Sequence, residues 1–175
     1  MRRRFFFLLL VGILGIATAQ QQSDRGPSTP DERKRFLAIT HKMEEAPLDD
    51  NLRDDRDWAL QWLIDIPDIQ VTPCPDVLSG LRPTYRYFPH LNGQYSFSMA
   101  AFMIEHPEKA KDRVAVNVAG VEGALRAYQA ILKAQPRATS SGMEELARKQ
   151  KAGTLVKFVT DASKDCTVEG DQKGA

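Results

Sequence analysis

Three histidines, two cysteines and a run of aspartates are the side chains of this sequence whose types and spacing bear most directly on chemistry. His41, His90 and His106 are too widely separated to form a local metal-ligand pair, and H-E-x-x-H is absent. His106 follows Glu105 and precedes Pro107, where an imidazole serves as charge partner for a helix end. His90 lies between Pro89 and Leu91 in a proline-broken connection, and such loops carry function more often than packed elements do. Asp49, Asp50, Asp54, Asp55 and Asp57 offer oxygens to a hard cation but lack the EF-hand spacing. Their plainer role is a favourable acidic helix start and a solvated face. G-x-G-x-x-G, Walker A and G-x-S-x-G are also missing. No catalytic residue, cofactor or metal is assigned on these grounds.

Cys74 and Cys166 allow one intramolecular pairing across 92 residues. Closing such a loop stabilises by roughly 4 kcal/mol through the unfolded chain, if unstrained. Cys74 stands between Pro73 and Pro75, a stiff corner suited to a staple. With no C-x-x-C, a thioredoxin-like redox motif is excluded. The expectation is a Cys74–Cys166 disulfide. Its rival is a free Cys74 thiol acting as a nucleophile with a distant histidine, which the bridge would forbid.

Aromatic residues crowd one stretch: Tyr85, Tyr87, Phe88, Tyr95 and Phe97, with Pro83, Pro89, His90, Asn92 and Gly93 among them. Rings beside polar groups are usual in binding surfaces. Tyr85, Tyr87, Phe88, His90 and Tyr95 are therefore candidates for a surface that takes an envelope protein, a peptide or a glycan. Core packing is the alternative.

Where these residues work is read from the start of the chain. Arg2, Arg3 and Arg4 precede an uncharged apolar run from Phe5 to Ala19, which ends in the small residues Ala17-Thr18-Ala19. This is the pattern of a cleaved secretory signal, too short for the ~20 residues of a spanning helix. Retention as an anchor is the alternative. The arginines resemble a twin-arginine signal, but the dense Phe and Leu core favours the general secretory route. Cleavage before Gln20 removes three of the 24 basic residues and none of the 23 acidic ones. The nearly neutral remainder gives no steering toward nucleic acid or anionic lipid. A periplasmic or extracellular location, with no stable membrane span after cleavage, is expected, and there disulfides persist.

The elements that position these residues are helical. Thr29, Pro30 and Glu32 make a capping box with proline in the first turn, and Phe36, Ile39, Thr40 and Met43 follow as a stripe up to Pro47. A second helix runs over about 51–66, with Trp58 and Trp62 one turn apart, and is expected to be covered on several sides. Ile69–Thr72 and Tyr85–Phe88 read as short strands. A third helix is expected over 94–106 and a fourth over 108–135, with Val114, Val118, Val121, Leu125, Tyr128 and Leu132 in helical register. Gly120 and Gly123 either break this helix or let a neighbour come close. A last helix starts near Ser141 with a Ser141–Glu144 capping box and kinks or splits at Gly153.

The fold expectation is a mostly α, compact helical domain of about five helices with a long irregular connection. A leader spans 1–19, a flexible tail 20–29, the domain 30–166 and a second tail 167–175. The function expectation is a non-enzymatic interaction or binding module of the cell envelope. The alternative is a small secreted or periplasmic hydrolase using polar groups of the 67–93 connection.

Overall fold

The computed structural model describes residues 25–164 and Cys166. The expected leader 1–19, the first half of the tail 20–29 and the tail 167–175 lie outside the described residues. Among the described residues there are six α-helices and no strand. They are α1 (Pro30–Glu45), α2 (Arg53–Asp65), α3 (Phe88–Glu105), α4 (Arg113–Ala134), α5 (Ser141–Lys151) and α6 (Leu155–Ala162).

Local chemistry sets most of these boundaries. The Thr29 hydroxyl accepts from the Glu32 N–H at 3.3 Å, and the Glu32 carboxylate accepts from the Thr29 N–H at 2.8 Å. This reciprocal cap satisfies two donors that would otherwise be orphaned at the start of α1. Asp49 caps a 3-10 turn, Asp50–Leu52, that leads into α2. The Asp112 carboxylate accepts from the Ala115 N–H at 3.0 Å and starts α4, five residues later than expected. Gly153 takes φ 68°, the left-handed region that favours glycine, and there α5 and α6 part. Ser140, not Ser141, precedes α5, and its side chain makes no capping bond. The expected box fails because Glu144 turns to Tyr128, whose hydroxyl donates to it at 2.6 Å.

Both strand expectations are corrected. Ile69–Thr72 has no regular secondary structure and no partner strand among the described residues. Tyr85–Phe88 forms turns and the start of α3, which begins six residues before the expected Gln94. Pro89, read as a breaker, sits in the first turn, where its missing N–H costs nothing.

The α3–α4 pair is the centre of the molecule. α4 runs unbroken through Gly120 and Gly123, because those glycines let α3 approach. A Cβ on Gly120 would lie 2.6 Å from the Tyr95 ring and 2.7 Å from the Met99 side chain. α3 divides two cores. Phe97, Ala100 and Ala101 join Phe36, Ile39, Ala59 and Trp62 from α1 and α2. Leu91, Tyr95 and Met99 join Leu125, Tyr128, Met143 and Val159 from α4 to α6. A helix clothed on opposite sides is apolar nearly all round, which is why α3 carries so few charges. α2 departs from expectation in the other direction. Trp62 is buried, but Leu60 and Ile64 are 51% and 68% exposed, so one face of this helix stands open.

Candidate functional site

The connection between α2 and α3 is held at Cys74, whose Cα lies 5.8 Å from that of Cys166; the two sulfurs are at disulfide distance. Cys74 is buried, as are Val77, Leu78 and Leu81 behind it. Pro75–Leu78 forms a 3-10 turn. On the far side, the Arg113 guanidinium donates to the Cys166 carbonyl, tying the chain after α6 to the start of α4. Tyr95 completes the attachment. Its hydroxyl accepts from the Cys74 N–H at 3.4 Å and donates to the Asn117 side-chain oxygen. Burial pushes the Tyr95 phenol up to about 12, opposed only partly by the Cys74 N–H, so it stays a neutral donor.

Beside this corner is a cleft of about 290 Å³. Its walls include Pro73, Pro75 and Pro83 from the connection, Phe88 and Tyr95 from α3, and the exposed amide of Asn92. The prolines hold their backbone stiffly and the cysteine pair fixes its base, so the cleft has a preformed shape.

The five aromatic-segment candidates divide. Phe88 and Tyr95 share the cleft. Tyr87 is buried in the core, with its ring edge-on to Tyr85 at 5.7 Å. Half-buried Tyr85 donates to the Ala138 carbonyl at 2.7 Å, and burial, with the neighbouring Tyr87, raises its phenol. His90 faces a different hollow, lined also by Pro47 and Arg56. Burial lowers its imidazole, and the Arg56 charge lowers it further, which keeps it neutral. His106 ends α3 and packs on the Phe102 ring at 4.7 Å. Of the aspartate run, Asp49 is a cap, Asp50 is 3.6 Å from Arg53, and Asp55 is 3.7 Å from Arg35.

A polar network between α1, α3 and α4 escaped the sequence reading. The Glu44 carboxylate is buried and accepts from Arg126 Nε at 2.6 Å and Nη2 at 2.8 Å. Ser98 donates to it at 2.9 Å, and Gln94 donates to Ser98 at 2.9 Å. Burial works to raise the Glu44 carboxyl, but Arg126's hydrogen bonds and charge, helped by Ser98, bring it below its ordinary range. His41 stands 3.8 Å from Glu44 and 3.6 Å from Glu105. An open hollow of about 440 Å³ adjoins the network, bordered by His41, Glu45, Arg126 and Lys133. The Ser98 hydroxyl gives its proton to a carboxylate already held by a guanidinium, not to an imidazole. The set therefore lacks the nucleophile–base pair of acyl-transfer chemistry. The one available signal was Glu44 itself, an acidic residue one turn beyond Thr40 on the apolar stripe of α1.

Among the described residues, Cys74, Asp76 and Cys166 are the one group whose potential ligand atoms converge, within 4.8 Å of one another. Sulfurs joined to each other offer no thiolate to a metal. No helix of the described residues is long and apolar enough to cross a membrane. No protein family, curated protein or solved structure matches the chain.

Proposed function

We propose that the protein is a non-enzymatic binding module of the cell envelope, exported to the periplasm or beyond, which takes an apolar side chain of a partner protein or peptide into the cleft beside Cys74. The observation that carries this reading is the cleft itself: stiff proline walls, the half-buried Phe88 ring and the buried Tyr95 ring, and one exposed amide, Asn92, to orient a ligand. A preformed site loses less entropy on binding than a mobile loop does. Export is supported by the leader pattern of residues 1–19 and by the cysteine pair at disulfide distance. A binding role is favoured over a hydrolase because the buried carboxylate is committed to Arg126 and the imidazole of His90 stands apart from the cleft.

Photocrosslinking in the native host tests it. A benzophenone side chain at position 88 should give one discrete adduct, absent from the same probe at exposed position 160. Asn92→Arg, an exposed helix position whose longer side chain fills the cleft, should abolish that adduct. No adduct from position 88, or one indifferent to Asn92→Arg, would overturn the proposal. So would turnover of peptides or glycans by the purified protein.

A further inference from the structure

Independently of the cleft, the open side of α2 carries a second surface. Leu60 and Ile64 are two of the three large apolar side chains exposed among the described residues, and they lie one turn apart on one helix face. They border an open groove of about 470 Å³ whose other walls are Leu63, Ile66, Ile69 and Val71, with the polar Gln70, Thr72 and Ser96. Scattered exposed leucines need no explanation, but an apolar pair continuous with an apolar groove does.

The charges around it say what covers it. Asp57, one turn before Leu60, and Asp54 are exposed, and Asp65 adjoins Ile64. Of the cations of the region, Arg56 donates to the Pro47 carbonyl at 3.0 Å and Arg35 of α1 covers the Trp58 ring at 3.9 Å, while Arg53, itself exposed at the start of α2, stands 3.6 Å from exposed Asp50. Asp68, beyond the helix, is bound by Arg33 and Ser28. Asp65 accepts only from a neutral group, Gln61, at 2.9 Å. The result is an apolar strip with an acidic border. An anionic bilayer is disfavoured by that border, since interfacial helices use lysine and arginine there. From this complementarity we infer that the outward face of α2 docks an amphipathic, basic segment of a partner protein, with its leucine-like side chains on Leu60 and Ile64 and its lysines or arginines beside Asp57 and Asp65.

The probe is a synthetic amphipathic peptide of leucine and lysine, with its leucine–glutamate counterpart as control. Binding to the purified chain is followed by the fluorescence of Trp58 and Trp62, which share α2. The lysine peptide should bind and the glutamate peptide should not. Leu60→Ser with Ile64→Ser should weaken binding about tenfold or more. Asp57→Lys with Asp65→Lys should do the same and remove the salt dependence. Both pairs are surface changes, and unchanged melting confirms folded variants. Asn92→Arg should leave this binding intact, which separates it from the cleft. Equal binding of the two peptides, no binding, or indifference to either double variant would overturn the inference. A dimer of the free protein that is lost with Leu60→Ser would also overturn it, assigning the face to a second copy.

Discussion

Glu44 and Arg126 meet across the α1–α4 interface through two hydrogen bonds, with the carboxylate side chain 7% exposed and the guanidinium 52% exposed. One partner is thus committed to the interior while the other remains half in water. Removing Arg126 leaves a buried carboxylate with neutral donors from Ser98 and Gln94, and with His41, 3.8 Å away and half exposed, in place of a guanidinium bond. Arg126→Met should therefore destabilise by about 2–4 kcal/mol, short of the largest buried-pair losses because Arg126 is half solvated. Glu44→Met with Arg126→Met should recover most of it. Denaturant melts of the two variants check this, and equal losses in the single and double variants would contradict it.

The same pair predicts a pH dependence. The folded Glu44 carboxyl titrates below the ordinary value of 4.5. Its contribution is fully present above that value and is lost as pH falls through the lower folded value. Melting curves taken from neutral pH down to about 3 should show a loss that Glu44→Gln reduces. A parallel acid profile in the variant would assign the loss to other carboxyls, of which Asp68 is also held low, its burial outweighed by the bonds from Ser28 and Arg33.

Gly123 fits under this network. A Cβ there would come within 2.8 Å of Glu44 Oε1 and would collide with the Ser98 side chain. In an open helix, glycine to alanine gains up to about 1 kcal/mol. Here Gly123→Ala should instead lose about 1–3 kcal/mol through overpacking. A raised melting midpoint would mean that Ser98 and Glu44 can move aside freely.

Cys74 and Cys166 should be joined in protein from an oxidising compartment. Thiol counting under denaturation without reductant should find none, and two free thiols per chain would refute the bridge. Reduction should cost up to roughly 4 kcal/mol, less whatever structure the unfolded chain retains. The loss should exceed that of Asn117→Ala, which removes the Tyr95 partner at the same corner and the bond from the Asn117 amide to the Arg113 carbonyl.

Thr29 and Glu32 start α1 together, so Thr29→Ala should lower stability by about 0.5–2 kcal/mol. An unchanged midpoint in denaturant would mean that the first turn frays without consequence, although Ser28 is also tied to Asp68 at 2.8 Å.

By itself the sequence determined the helical class, the cap at Thr29, the register of α4, the break at Gly153 and which two cysteines could pair. Each follows from groups within about one helical turn or from simple counting, so no knowledge of neighbours was needed. Tertiary structure alone decided the rest. Pro89 is as compatible with a first turn as with a break, and only the packing of Leu91 and Tyr95 on α4 selects the turn. The same packing buries Tyr87 in the core and Tyr95 at the base of the cleft, and leaves Phe88 and Asn92 at its more open wall. Glu44 finds its cation 82 residues away, and Leu60 and Ile64 remain bare because no helix among the described residues covers that side of α2. Periodicity marks which side of a helix is apolar, but the partner that covers it is set by long-range packing, which no local pattern encodes.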